Sequence, residues 1–301
     1  MKKAYLIYED KEAQKNHGFI EMFQQAGKER DIDFSFVSKK DYQIFSEKSN
    51  PDLVLNRTRD PGVSRWYEKR NIPVYHNSSL VELANHKYKM MAYFQEHLPE
   101  EILKEKWCPA TVFLTDPAQM GNISNSNIEN AEIMKCFPDH IGAVTPEKLR
   151  HGVIKSVSGH GGNEVFLVED QEKWRDILAG REVVLQEKIE CHSRDLRVYV
   201  LSGEIYCAML REGKQDFRSN FSLGGSVREM GLTPAQREYI GCFIKCLPDH
   251  SAGMYSIDFL PLSDGRLIFD EVEEMVGCRM LYQYTEHDIV RDYVAYLSGK
   301  C

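Results

Sequence analysis

Residues 255–273 read YSIDFLPLSDGRLIFDEVE. Two apolar-rich runs, Tyr255–Leu260 and Leu267–Glu273, flank Ser263-Asp264-Gly265-Arg266. Asp-Gly is a favoured pair for a two-residue hairpin turn, because both central residues of that turn need positive φ. A turn centred on Asp264-Gly265 sets Asp258 directly opposite Glu271. Glu273 lies two residues further on, so it shares their face. Ile257, Phe259, Ile268 and Val272 then form the opposite, core-facing side, and Asp270 falls among them. Carboxylates directly opposite one another repel. A cluster of this kind suits Mg²⁺, which takes a few carboxylates together with substrate phosphates. A solvated acidic ribbon is the alternative.

A second pattern precedes the hairpin. The strand-like run Val153–Val157 contains Lys155 and leads into Ser158-Gly159-His160-Gly161-Gly162, after which Glu164–Val168 reads as another strand. Glycines let backbone N–H groups converge on an anion. The spacing is neither GxxxxGK[ST] nor a GxGxxG that opens a helix. A strand–glycine loop–strand can cover a phosphate or be a plain flexible hairpin, with His160 at its tip. Between the two patterns lie Arg211, Lys214, Arg218 and Asn220, followed by Gly224-Gly225. Arg218 suits bidentate contact with phosphate or carboxylate. Asp195 and Arg197 share one strand face and can equally be a surface ion pair. No GxSxG or HExxH occurs.

The first hundred residues alternate strands (4–8, 33–37, 52–56, 73–75) with helical patterns (18–26, 65–70), which implies a small parallel α/β lobe. Residues 77–98 read as one helix capped by Ser78 or Ser79. Strands follow at 183–189, 196–201 and 205–210, then a helix over 233–247 with Thr233-Pro234 at its start and a last helix from about Glu286. The run Asn122–Asn127 is a polar loop. Asn56-Arg57-Thr58-Arg59, after the third strand, can meet an anion at the carboxyl end of a parallel sheet.

The 301 residues suffice for two or three lobes, and the net charge of −8 disfavours a large nucleic-acid-binding surface. No run of about 18 apolar residues suggests a membrane span. The chain opens directly into a strand, and its eight cysteines form no CxxC pair, so reduced thiols and a cytoplasmic location are expected. Cys242 and Cys246 read as two small buried side chains on a helix.

With these residues in view, the chain resembles the ATP-grasp ligases, in particular the RimK-like (ribosomal protein S6 glutamate ligase-like) group. His86-Lys87-Tyr88 resembles the segment of the first nucleotide-contacting lysine, and Cys108-Pro109-Ala110-Thr111 the strand before the ATP-binding subdomain. Lys155 and the glycine loop resemble the second lysine and the phosphate-covering lid. Val184-Leu185-Gln186-Glu187-Lys188-Ile189 is similar to the strand that meets adenine. Asp195-Leu196-Arg197, Arg211 and Phe217-Arg218-Ser219-Asn220 resemble the ribose- and phosphate-side motifs. The family ordinarily ends its metal motif Glu-x-Asn; here it is Glu271-Val272-Glu273.

The resemblance implies a pre-ATP-grasp lobe (1–85) and an ATP-grasp domain (86–301) with a lid subdomain at about 108–188 and a C-terminal subdomain at about 189–301. It implies ATP and Mg²⁺, with Mn²⁺ possible. Expected nucleotide contacts are Lys87, Lys155, Gly159, Gly161, Gly162, Gln186, Glu187, Lys188, Ile189, Asp195, Arg197, Arg211 and Asn220. Expected metal ligands are Asp258, Glu271 and Glu273; the expected catalytic residues are Arg218, which steadies the transferring phosphoryl or the acyl phosphate, and Lys155, which with Lys87 neutralises the α- and β-phosphates. The implied reaction joins a small-molecule or peptide carboxylate to an amine through an acyl phosphate. A small-molecule kinase or a non-catalytic Mg-ATP-binding protein are the alternatives. No nucleic-acid or membrane partner is implied; a homodimer or homotetramer is.

Overall fold

A computed structural model describes residues 1–117, 133–134, 146–213, 225–248 and 253–299. The N-terminal strands β1 (Lys2–Tyr8), β2 (Ile32–Ser38), β3 (Leu53–Asn56) and β4 (Val74–Tyr75) form a parallel sheet of order β2-β1-β3-β4. Helices α1 (Asp10–Lys15), α2 (His17–Lys28), α3 (Tyr42–Lys48) and α4 (Pro61–Glu68) connect them. β1 is buried from Ala4 to Tyr8, as expected of a central strand covered on both faces.

The stretch expected as one helix over 77–98 is two, α5 (Ser78–Ala84) and α6 (Lys87–His97). Asn77, not a serine, caps the first through Leu80 N–H at 2.7 Å. Asn85 and His86 break the run. The Asn85 side chain turns back to Val81 O at 2.8 Å, and His86 adopts an extended conformation that starts a new helix at Lys87. This break puts Lys87 in the first turn of a helix.

A lid sheet follows: β5 (Thr111–Leu114), β6 (Ile133–Met134), β7 (Val153–Ser156), β8 (Val165–Leu167) and β9 (Val183–Gln186), in order β6-β5-β9-β7-β8. Short helices α7 (Glu100–Leu103), α8 (Pro146–Arg150) and α9 (Gln171–Leu178) accompany it. The polar run 122–127 lies outside the described residues. β9 ends at Gln186 rather than Ile189, leaving Glu187–Ile189 in the irregular passage to the next sheet.

The largest contacts are in the antiparallel sheet of β10 (Arg194–Leu201), β11 (Glu204–Glu212), β12 (Ser226–Glu229), β13 (Met254–Pro261) and β14 (Leu267–Glu273), in order β12-β11-β10-β13-β14. One face is apolar throughout. Val198, Leu210, Ile257, Phe259, Phe269 and Val272 pack against α6 and α10 (Pro234–Cys246). There Phe243 stacks on Phe269 with centroids 5.5 Å apart. The other face is divided. Tyr199, Leu201, Cys207, Met209 and Met254 pack on the parallel lobe and on α11 (Arg279–Tyr284) and α12 (Ile289–Ser298). Its remaining half carries Asp195, Arg197, Arg211, Asp258, Glu271 and Glu273. The last helix thus begins at Ile289, three residues beyond Glu286, where Asp288 caps it through Arg291 N–H at 3.1 Å.

The β13–β14 hairpin departs from the expected turn in an instructive way. Leu262 N–H donates to Arg266 O, and Gly265 has φ +88°, so three residues, Ser263 to Gly265, make the loop. That shifts the register by one, and Phe259 pairs with Phe269. A bulge at Asp270 restores it, so Asp258 does face Glu271. Below the bulge the parity is reversed: Leu267 and Phe269, not Ile268, join the aromatic core. Among the described residues no helix is long and apolar enough to cross a membrane.

Replacing Phe243 by Ala removes an aromatic that touches Phe94, Trp107, Phe259 and Phe269. Chemical denaturation should show a loss of about 3–5 kcal/mol. A loss under about 1 kcal/mol would mean this core is not what supports the sheet.

Candidate active site

Strand alternation alone collects the polar side chains. Asp195 stands opposite Arg211, and Arg197 lies between Met209 on one side and Asp258 on the other. Charges of opposite sign therefore face each other across adjacent strands. Arg197 grips Asp258 with two bonds, Nε to Oδ1 at 2.9 Å and Nη2 to Oδ2 at 2.6 Å. Arg211 donates to Asp258 Oδ2 at 2.7 Å and to Asp195 through Nε. Burial raises the Asp258 pKa, but the two guanidiniums outweigh it and hold the carboxyl below its ordinary value.

Three further acids on β14 each meet a cation from a different part of the chain. Lys155 of β7 reaches Asp270 at 2.6 Å. Lys87 of α6 reaches Glu271 at 3.3 Å. Arg59, after β3, reaches Glu273 at 3.1 Å. Burial would lower the Lys155 pKa, yet Asp270, with Glu271 behind it, holds the ammonium above its ordinary value. Glu271 is pushed up, first by burial and then by Asp270, Asp258 and Glu273, with Lys87 opposing. Glu273 is drawn down because Arg197 and Arg59 outweigh its burial. Asp270 is a site residue that pattern reading missed, since the bulge that turns it toward Lys155 leaves no mark in the hydrophobic alternation.

Above this acidic floor sits the glycine loop. Gly161 and Gly162 adopt φ of +66° and +73°, which the loop's tight path requires. Lys87 pins it through its own N–H to Val157 O at 3.0 Å and Nζ to Gly159 O at 2.7 Å. His160 lies near Arg59, Glu273 and Lys87; burial, then Arg59, lowers its pKa to about 4, so it is neutral. Between roof and floor runs a cleft of ≈ 180 Å³. It is lined by Lys87, Lys155, Gly159, Gly161, Gly162, Gln186, Glu187, Lys188, Ile189, Asp195 and Glu271 among the expected residues. Asp270 and the less polar Pro109, Val153, Val165, Cys191 and Leu260 line it as well. Arg197, Arg211, Asp258 and Glu273 lie outside its lining. Arg211 connects to it through Asp195, and Arg197 is one step further away, sharing Asp258 with Arg211. Arg218 and Asn220 lie outside the described residues.

At the connecting passage, Glu187 accepts from Ala110 N–H at 2.8 Å and pairs with Lys106, while Glu187 N–H donates to Ala110 O at 3.0 Å. The adjoining segment is thereby fixed to the lid sheet, with Lys188 exposed and Ile189 half-buried along the cleft. Each acid of the floor has a cation beside it, and among the described residues no group of three His, Cys, Asp or Glu is placed to hold a metal ion as the side chains stand.

An antiparallel lid sheet and a larger antiparallel sheet enclosing a cleft of lysines over carboxylates, joined to a parallel lobe, define an ATP-grasp architecture. Comparison agrees. The RimK-like ATP-grasp domain matches residues 124–297, more than half of the chain. The chain belongs to the RimK-like ATP-grasp family. It is 25% identical over 288 residues to the uncharacterized protein MG011 of Mycoplasma genitalium, covering 94% of this chain and 87% of that one. It is 30% identical over 169 residues to probable alpha-L-glutamate ligase 1 of Shewanella sp., covering 54% of each. The ATP-grasp ligase PsnB, solved with a phosphomimetic variant of its minimal precursor, Mg and ADP, shares the fold with a TM-score of 0.63, 14% identity and 98% coverage of both chains.

Next to the floor, Glu274 is buried, with one oxygen bonded by Asn85 at 2.7 Å and the other without a partner. Burial, then Glu273, raises its pKa to about 7. A carboxyl raised in the fold favours the protonated form, so its contribution is complete below pH 4.5 and fades as pH rises through 7. Glu274→Gln should therefore raise the melting temperature at pH 8 relative to wild type, with the advantage shrinking toward pH 4.5. An advantage that is flat or grows with acidity would contradict this.

Proposed function

We propose that this ATP-grasp ligase joins a carboxylate to an amine, forming an amide and releasing ADP and phosphate. The carrying observation is the pairing of Lys155 with Asp270 and of Lys87 with Glu271 across the cleft. Lysines held over half-buried carboxylates are arranged to exchange partners when an anion and a divalent cation arrive together. Lys87 and Lys155 take polyphosphate oxygens. Gln186, Glu187, Lys188 and Ile189 offer backbone and side-chain groups to the adenine end, and Asp195, Arg197 and Arg211 stand toward the ribose and phosphates.

The donor chemistry suits Mg²⁺: Asp258, Glu271 and Glu273 would hold it through hard carboxylate oxygens. When bound, the ion supplies charge neutralisation for the phosphoryl group. The chain's own part is positioning. Lys155, with Arg218 and Asn220 from the segment after β11, steadies the γ-phosphoryl while a substrate carboxylate oxygen attacks phosphorus and ADP leaves. An amine then attacks the acyl carbon, the C–O bond to phosphate breaks, and a proton leaves the nitrogen. The glycine loop covers the site so that water does not take the amine's place. Mn²⁺ suits the same oxygens. The substrates are small molecules or peptides, the setting is the cytoplasm, and a homodimer or homotetramer is the assembly this reading carries.

The experiment is a coupled assay for ADP across a panel of carboxylates and amines, with products read by mass spectrometry. ADP, phosphate and an amide should appear together, and Lys155→Ala should lower turnover by at least about 100-fold. A phosphorylated product without amide would identify a kinase instead, and nucleotide binding without turnover on any pair would identify a non-catalytic binder.

A further inference from the structure

Arg59 stands in no nucleotide-binding role above, yet it joins the parallel lobe to the acidic floor. The loop that carries it is tightly determined. Asn56 Oδ1 accepts from Thr58 N–H at 3.0 Å and from Thr58 Oγ1 at 2.7 Å, while Asn56 Nδ2 donates to Asp60 O at 3.0 Å and Ser64 Oγ at 2.8 Å. Asp60 then caps α4 through Gly62 N–H at 2.8 Å. Between these anchors Arg59 takes φ +57°, a left-handed conformation that a long side chain adopts only when its surroundings demand it. The result is a guanidinium delivered across the lobe boundary to Glu273 Oε1, beside His160 of the glycine loop.

The charge count gives the contact its meaning. Among the described residues the floor holds five acids, Asp195, Asp258, Asp270, Glu271 and Glu273. It meets five cations, Arg59, Lys87, Lys155, Arg197 and Arg211. His160 is neutral. Four of the cations come from the lid, α6 and the sheet itself; Arg59 alone comes from the parallel lobe. Without it Glu273, only 12% exposed, leaves the floor beside the cleft one negative charge in excess. An amide at 273 would need no such partner.

We propose that Arg59 is a positioning residue of the ligase centre: by neutralising Glu273 from the parallel lobe, it lets a third carboxylate stand in the floor without repelling the nucleotide. The proposal rests on the Mg-ATP reading of the cleft. It makes the two residues a matched pair, so that losing the cation alone is more harmful than losing both charges.

The test is calorimetric binding of a nonhydrolysable ATP analogue at saturating Mg²⁺, with thermal denaturation of each variant alongside. Arg59→Ala should weaken binding about tenfold or more, and Arg59→Lys should stay within about threefold of wild type. The pair Arg59→Ala with Glu273→Gln should bind more tightly than Arg59→Ala alone, so that the two losses do not add. A purely structural tether would leave the double variant as weak as Arg59→Ala, which overturns the proposal, as does wild-type binding by Arg59→Ala. Where Arg59→Ala does not fold, Arg59→Gln read against Arg59→Gln with Glu273→Gln gives the same comparison. If the wild-type chain binds no analogue, the Mg-ATP reading falls and this proposal with it; if it binds and only the rescue fails, Arg59 alone is misassigned.

Discussion

Buried carboxylates on one face of a sheet persist only where cations meet them, and this constraint organises the molecule. Asp258 is almost wholly buried and accepts from two guanidiniums. Taking one such charge out of water unpaired would cost several kcal/mol, a large part of a typical domain's stability. The partners come from everywhere the chain goes: the neighbouring strands, the lid, the start of α6 and the loop after β3. Three sheets are thus drawn to one place by pairs that cross between them, and the cleft exists because they meet there.

The same sheet shows why the site sits where it does. Its apolar face is fully used against α6 and α10, with Phe94, Phe243 and Phe269 in mutual contact. Its other face is apolar only as far as the parallel lobe and the C-terminal helices cover it. Beyond that limit the alternating positions turn polar, and the lid closes over them. Apolar packing and the charged site therefore occupy different parts of one surface.

Much of this was legible in the sequence. Alternation gave the strands of the large sheet, and the Asp-Gly pair pointed to a hairpin that sets Asp258 against Glu271. That opposition holds for a reason the pattern does not contain: a three-residue loop shifts the register and a bulge at Asp270 shifts it back. The reading therefore lost Asp270, which pairs with Lys155, and placed Ile268 in a core that Leu267 and Phe269 occupy. The break between α5 and α6 was hidden because Asn85 and His86 are tolerable in a helix, and only the turn-back of Asn85 and its bond to Glu274 decide against continuation. Partners distant in sequence, such as Arg59 for Glu273 or Lys87 for Glu271, have no local signature at all. The family likeness supplied candidate roles for Lys87, Lys155 and the three acids, and the fold brings their segments together.

On the proposed reading, lysines and carboxylates now joined across the cleft part to admit polyphosphate and a divalent cation. A crystal structure with a nonhydrolysable ATP analogue and Mg²⁺ tests it most directly. Adenine should lie beside Glu187–Ile189, with phosphate oxygens on Lys87 and Lys155 and with Lys155 drawn away from Asp270. Nucleotide lodged elsewhere, or seated in the cleft with the Lys155–Asp270 and Lys87–Glu271 pairs intact, would contradict it.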